Sequence, residues 1–596
     1  MRRSGRILGS LTVLFLLGAS ERAMGATFYS QGSLAADSLV SWNSERDGSG
    51  TAPLDFASGD AFVIQAGHAL ITTSPWSVSG GGSELWIENG GALHASQPVT
   101  LAAASTLRVD SGGTYVHDNL APFASSIFQA GTVTLAPAST VVLRSSDSTG
   151  PAGIVFGNLT LDFEASPGAS VTLAAETTEI RGDLTLTAGT LALDPAGTLD
   201  VAGNWSRSSG NLQGNGGLVR LGGAGDQTVT GAAVTFGRLR IEKSGGRVLL
   251  ADDLAVSDSL ILAGGNIETG ANRLSVGSAA IVARTSGHVV GRLEKSMAAG
   301  AGTQSFEIGD ATHYSPVTVS GAGFTSAFQL TASTVAGDHS GLAASGIDPA
   351  RSVNRTYTLA SGDYAGGAFD LTLEFDPDDV DAGAQPAGFV VREFNGAWSA
   401  PAIGERLATS IRAAGLSGFG DFSIGEQGID HYSVSASSPQ DRGATFSTSV
   451  AALDALGETV NADTTTQVMM SSDGSVEYDA DGNASFGDSV KVLSHGAFDI
   501  ATRDTVAQTV TLLAGDAQGH IGNRSGLTVL APLEIETASL PNAVAGQPYS
   551  QSASAAGGLP PYSWTLDSGT LPSGMSLSAA GLIAGTSTAA GSSGFT

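Results

Sequence analysis

The sequence predicts an all-β chain, a parallel β-solenoid followed by β-sandwich domains, and three observations carry that prediction. Glycine supplies 81 of the 596 residues while charged residues are only 14%, a balance that suits short strands and tight turns. Apolar-x-apolar triplets recur six to eight residues apart between residues 27 and 293, too closely for ordinary hairpins. Beyond residue 293 the alternation lengthens into runs such as Phe369-Asp-Leu-Thr-Leu-Glu-Phe375, the pattern of antiparallel strands with one buried face.

Taken in order, residues 1–26 read as a secretory signal peptide. Arg2, Arg3 and Arg6 precede the apolar run Ile7 to Leu17, and Ala23-Met-Gly-Ala26 offers small residues for cleavage. That run is shorter than the roughly 20 residues of a membrane span, and no membrane span is expected elsewhere. The chain is therefore expected at the cell surface or outside the cell. With no cysteine, disulfides, zinc–thiolate sites and cysteine nucleophiles are excluded.

Residues 27–293 are assigned to the solenoid. Leu184-Thr-Leu186, Leu191-Ala-Leu193 and Leu199-Asp-Val201 follow one another, as do Leu254-Ala-Val256, Leu260-Ile-Leu262 and Leu274-Ser-Val276. Alternation by two places both apolar members of a triplet on one face. Three such strands per turn close a coil of roughly twenty residues, and stacked coils share one core. An internal repeat supports this: Phe156-Gly-Asn-Leu-Thr-Leu161 matches Phe236-Gly-Arg-Leu-Arg-Ile241 at an offset of 80. Gly182-Asp-Leu-Thr-Leu-Thr-Ala-Gly189 matches Asp258-Ser-Leu-Ile-Leu-Ala-Gly-Gly265 at 76. The opening, Trp42-Asn-Ser-Glu-Arg-Asp-Gly-Ser-Gly50 and Gly59-Asp-Ala-Phe-Val-Ile-Gln-Ala-Gly-His68, resembles β-helical regions of large secreted bacterial proteins.

Residues 294–428 are expected to form an antiparallel sandwich capping the solenoid. Residues 429–531 have the length of one immunoglobulin-like domain. Ala444-Thr-Phe-Ser-Thr-Ser-Val450, Val510-Thr-Leu512 and Gly526-Leu-Thr-Val529, with the turn Ala452-Leu-Asp-Ala-Leu-Gly-Glu-Thr459, resemble bacterial immunoglobulin-like domains of the invasin and intimin kind. Residues 532–596 form the last module. Its Ser539-Leu-Pro-Asn-Ala-Val-Ala-Gly-Gln-Pro-Tyr549, Gly557-Gly-Leu-Pro-Pro-Tyr-Ser-Trp564 and Gly581-Leu-Ile-Ala-Gly-Thr586 resemble the immunoglobulin-like, dystroglycan-type cadherin-like module of bacterial surface proteins. In that family a Phe-Thr pair opens the final strand. The module is thus expected to be truncated at Phe595-Thr596, and the chain to be a fragment of a longer protein.

The net charge of −29 and the three lysines, Lys243, Lys295 and Lys491, argue against nucleic acid as a partner, since phosphate binding needs clustered cations. No G-x-S-x-G elbow, Gly-Lys phosphate loop or H-E-x-x-H motif is present. His68, His94 and His117 sit among polar turns, and Asp183, Asp252, Asp253 and Asp258 flank turns where solvation explains them. Two acidic loops offer oxygen donors for Ca²⁺: Asp376, Asp378, Asp379 and Asp381, and Asp479, Asp481, Asn483 and Asp488. A cadherin-like resemblance also implies Ca²⁺, yet Asp567 is the only acid from Ser539 to Thr596. Tyr549, Tyr562 and Trp564 are assigned to packing in the last module rather than to sugar stacking. The expected function is non-enzymatic: adhesion to extracellular or cell-surface polysaccharide or protein. Two alternatives stand beside it, a polysaccharide-active enzyme and a purely structural stalk.

Overall fold

The computed structural model describes residues 25–145, 148–164 and 168–596. The expected signal peptide lies almost wholly outside them. Among the described residues the regular elements are strands and single-turn 3-10 segments, with no α-helix. Two compact units emerge. One runs to Met297 and adds Glu307–Thr312 and Gln329–Ser333; the other takes Ala298–Phe306, His313–Phe328 and Thr334–Thr596.

The first unit winds as a parallel β-solenoid of about 11 turns. On one face Ala61–Ile64 lies parallel to Glu84–Ile87, whose Glu84 stands opposite Thr106 in the next coil. On a second face Thr114 lies between Ala92 and Thr140. A third face stacks Ser170–Leu173, Thr190–Leu193 and Asn211–Gln213. Alternation turns Leu85, Ile87, Leu107 and Val109 inward, each at most 1% exposed. The first coils close around aromatic rings: Trp42 stacks on Trp76 at 5.7 Å between centroids and meets Phe62 edge-on at 5.2 Å. Later coils bury mainly Leu and Val, with Trp205 edge-on to Phe236 at 4.9 Å.

The two halves of the internal repeat do not occupy equivalent places. Phe156 pairs with Ile180, and that column continues through Val201 and Leu221 to Ile241, not to Phe236. Phe236 pairs instead with Val256 on the preceding face. The repeated Phe-Gly motif is therefore displaced by one face around the coil, because it encodes a corner rather than a face. At Gly157 the corner demands glycine, since a β-carbon there would lie 2.4 Å from the Ala136 carbonyl oxygen. The parallel ladder also runs past residue 293, with Val289 opposite Ile308.

In the second unit the chain becomes antiparallel. Gly300–Phe306, Val317–Phe324, Phe369–Glu374, Ser410–Leu416 and Ala402–Leu407 form one five-stranded sheet in that spatial order. Phe389–Phe394 pairs along its whole length with Asp421–Gln427. Residues 431–530 then build a two-sheet sandwich. One sheet orders His431–Ser435, Thr445–Leu453, Ala497–Asp504 and Val476–Asp479. The other orders Gln440–Asp441, Ile521–Leu530, Thr509–Gly515, Gln467–Ser472 and Val490–Val492. Their shared core contains Tyr432, Val450, Val468, Met470, Ile500, Leu512 and Leu527, the arrangement of an immunoglobulin-like domain.

The last module has a small core. Pro548–Ser552, Leu582–Thr586 and Met575–Leu577 pair antiparallel, and Phe595 bridges Gly569. Ile583 is its one buried large hydrophobic among the described residues. No helix among the described residues is long and apolar enough to cross a membrane.

Candidate functional site

On the solenoid, the polar residues at turns are engaged from coil to coil. Asn158 Oδ1 accepts the Asp183 N–H at 2.8 Å, Asp183 Oδ1 accepts the Asn204 N–H at 2.7 Å, and Asn204 Oδ1 accepts the Thr228 N–H at 2.9 Å. These residues form a ladder with one rung per coil. Asp252 and Asp253 act likewise, accepting from the N–H groups of Gly231 and Arg273. Asp258 accepts from the Ser257 hydroxyl. Structural hydrogen bonding, not solvation alone, thus explains these acids. Each bond contributes about 0.5–1.5 kcal/mol.

The histidines are similarly placed. His68 Nδ1 lies 2.8 Å from the Ser30 hydroxyl, and His94 Nε2 lies 2.8 Å from Asp118 Oδ2. His117 is wholly buried against Tyr115 and the Ala121 carbonyl, and that burial depresses its imidazole pKa. Two of the three lysines are also interior. Lys243 donates to the Gly222 carbonyl at 2.5 Å and to Gln227 Oε1 at 3.2 Å, while Lys295 pairs with Glu307 at 2.6 Å. Desolvation lowers both ammonium pKa values. Composition counts all three as surface charge; only Lys491 is left to the surface.

The two acidic loops differ. In the first, Asp379 turns inward and meets Arg355 Nε at 2.7 Å, with Arg355 fully buried. Asp381 accepts the Ser352 N–H at 2.8 Å and the Asn354 amide at 2.8 Å. Asp376 accepts the Asp378 N–H at 3.0 Å, opening a 3-10 turn at Pro377–Asp379. Asp376 and Asp378 each bring one oxygen within 4.8 Å of a His313 ring nitrogen and of each other. The four aspartates therefore do not converge on one point.

In the second loop, Asp479, Asp481 and Asp488 each place one oxygen within 4.8 Å of the others. Asp479 is 4% exposed. Burial pushes its carboxyl up, but the N–H groups of Ala484 and Gly482, a hydrogen bond with the Asp481 carboxyl and the Asn483 N–H together outweigh that and hold it below the ordinary carboxylate range. Asp481 Oδ2 accepts from the Asn483 amide at 2.7 Å, so Asn483 Nδ2 faces the cluster. Asp488 Oδ2 accepts the Asp481 N–H at 3.1 Å, whereas its Oδ1 is buried without a hydrogen-bond partner. An orphaned carboxylate oxygen beside two other carboxylates fits a hard divalent cation. Asp479, Asp481 and Asp488 are the residues that would hold Ca²⁺.

The turn Ala452–Thr459 has a role its resemblance does not imply. Asp454, fully buried, pairs with Arg392 Nη2 at 2.6 Å and accepts from Gln427 at 2.9 Å. Arg392 also donates to the Ser345 carbonyl at 3.0 Å. The pair ties the sandwich of residues 431–530 to the preceding strands. A cleft of about 640 Å³ lies beside it, lined by Arg351, Glu426, Asp463, Asp516 and His520 among others. Two of its charges are matched within it, Arg351 to Glu426 at 3.1 Å and His520 to Asp516 at 2.7 Å, while Asp463 accepts from the Thr465 and Thr466 N–H groups.

In the last module Tyr562 donates to the Gly557 carbonyl at 2.5 Å and Tyr549 to that of Pro541 at 2.9 Å. Trp564 is half-buried, its indole packed where a Gly581 side chain would sit.

Comparison with known proteins adds one family. Residues 529–596 match the model described as "Putative Ig domain", which coincides with the immunoglobulin-like module expected over 532–596. No curated protein matches the chain. Two solved structures that match are of a glycosyl hydrolase family 2 member from Bacteroides cellulosilyticus, one of them from strain DSM 14838. Each is 10% identical with a TM-score of 0.15, over 28% of this chain and 25% or 24% of its own. The chain spans about a quarter of the length of these structures, and so slight a likeness carries no argument about activity.

Proposed function

We propose that this chain is a non-enzymatic, exported surface protein whose β-solenoid and immunoglobulin-like modules serve adhesion to extracellular polysaccharide or protein. The observation that supports it most is the succession of β modules, an immunoglobulin-like sandwich fixed through the buried Arg392–Asp454 pair and then a module matching an Ig family. Such tandem sandwiches suit extension and presentation of surface. The ladder of Asn158, Asp183 and Asn204 is consistent with a solenoid whose turn residues hold coils together. Kinship of residues 429–531 with invasin- and intimin-type domains, and of the last module with cadherin-like modules, belongs to the same proposal. So does Ca²⁺ at Asp479, Asp481 and Asp488.

The test is to incubate the purified chain with intact cells and with isolated extracellular polysaccharides. Retention on either without release of sugar is the expected result. New reducing ends or unsaturated sugars in the supernatant would replace the adhesive reading with an enzymatic one.

A further inference from the structure

The outer faces of the two sheets in the 431–530 sandwich are unlike. On one, Asp499, Arg503 and Glu477 alternate outward with small residues, and Arg503 pairs with Glu477 at 2.6 Å. On the other, the outward positions are Gln467, Met469 and Ser471, Val490 and Val492, Thr511, Leu513 and Gly515, and Ile521, Asn523 and Ser525. None of these is charged, in a chain of net charge −29; the exposed Asp441 of the fifth strand lies opposite Leu530, at the far end of Ile521–Leu530. Met469 is 56% exposed, Val490 49%, Val492 45%, Leu513 37% and Ile521 69%. Loss of charge with gain of Met and aliphatic residues is the composition of an interface centre.

The pairing register gives this face a relief. Val490 stands opposite Met469, Met469 opposite Gly515, and Gly515 opposite Ile521. One row across four strands therefore reads knob, knob, hollow, knob. Rotation by two-fold symmetry about an axis along the strands, midway between Met469 and Gly515, lays Met469 of one copy over Gly515 of another. It also lays Val490 over Ile521. The central Met469–Gly515 pair is complementary to itself, as an isologous contact requires, while Val490 and Ile521 meet as two projecting apolar side chains at its margins.

We propose that this uncharged face docks on the same face of a second copy of the chain. A partner recognised through charge would find little to read here, whereas two strongly acidic copies repel each other least where neither presents charge. Four strands about 4.8 Å apart, with some five residues at about 3.3 Å rise, give a footprint of roughly 300 Å² per copy. That falls in the weak, transient class below roughly 1,200 Å² in total. Such a contact acts through many copies on facing surfaces. The proposal rests on the adhesive reading for its use, but its failure would leave retention on polysaccharide untouched.

The test is sedimentation of the full chain over a concentration series at low and high salt, with two variants. The wild type is expected to form a dimer, more of it at high salt because screening removes the −29 repulsion. Met469→Asp buries a charge in the contact and is expected to weaken it about ten-fold or more. Gly515→Leu fills the hollow and is expected to weaken it too. Its β-carbon has only ordinary contacts, at 3.5 Å and beyond, so melting should be unchanged in both variants. A monomer at all concentrations overturns the proposal. So does dimer that is lost as salt rises, which marks a charge-driven contact. Gly515→Leu associating as well as wild type marks unspecific stickiness and overturns it equally.

Discussion

Residues 376–381 and 479–488 are two loops of nearly the same chemistry with opposite outcomes. In the first, the one aspartate that turns fully inward meets a buried guanidinium, Arg355, and its neighbours cap backbone N–H groups. In the second, Asp479 and Asp488 draw together with Asp481, and one oxygen of Asp488 is left without a partner. The fold supplies its own cation to one loop and not to the other. An acidic loop with a basic side chain packed beneath it is thus a structural element, and on our proposal one without such a side chain is an ion site.

The largest effect expected from this contrast is at Arg355. Arg355→Met leaves the buried Asp379 with only the His313 imidazole, 3.8 Å away, which costs about 3–5 kcal/mol, read as a fall in the denaturation midpoint. The double variant Arg355→Met/Asp379→Leu should regain most of that loss, because neither partner then carries a buried charge. If the single substitution costs under about 1 kcal/mol, the pair behaves as an exposed ion pair and the contrast between the loops collapses.

The second loop should respond to metal where the first does not. Ca²⁺ at about 100 times its dissociation constant should stabilise the native chain by about 2.7 kcal/mol, read as a rise in melting temperature reversed by chelator. Asp488→Asn should abolish the rise, while Asp378→Asn should leave it intact. Equal melting with and without chelator would remove Ca²⁺ from this site.

The same loop sets a pH dependence with a definite sign. The folded Asp479 carboxyl lies below its ordinary value despite its burial, held there by the N–H groups of Ala484 and Gly482, by hydrogen bonding with Asp481 and by the Asn483 N–H. Its contribution is therefore fully present above the unfolded aspartate value near 3.9 and is lost as pH falls through the folded one. Acid unfolding of wild type and Asp479→Asn should converge below pH 4 and separate above it. Curves that stay parallel throughout would show that Asp479 contributes nothing by titration.

How much of this the sequence discloses depends on range. Strand alternation is local, so the triplets at Leu184–Leu186 and Leu260–Leu262 reveal inward faces directly, and the solenoid follows. The Phe-Gly repeat misleads about register because every face carries the same alternation, and only the pairing of Phe156 with Ile180 separates one face from another. The rungs Asn158, Asp183 and Asn204 are legible once the coil length is known, since they are spaced 25 and 21 residues apart. Arg355, on a strand, and Asp379, in the 3-10 turn, lie 24 residues apart, with no local pattern to join them. Nor does any local pattern show that Lys243 and Lys295 are interior, or that Asp454 serves a joint.

The smallest effect separates the outer rim of the first loop from its centre. Asp376 is half-buried and accepts the Asp378 N–H at 3.0 Å, so Asp376→Ala removes an N-cap and nothing more. Loss of such a cap costs about 1 kcal/mol, several times less than loss of Arg355. The cost should be the same with Ca²⁺ or chelator present, because the loop's inward charge is already met by Arg355. A Ca²⁺-dependent cost at Asp376 would instead make His313, Asp376 and Asp378, whose ligand atoms lie within 4.8 Å of one another, a second cation site. The two loops would then differ in affinity rather than in kind.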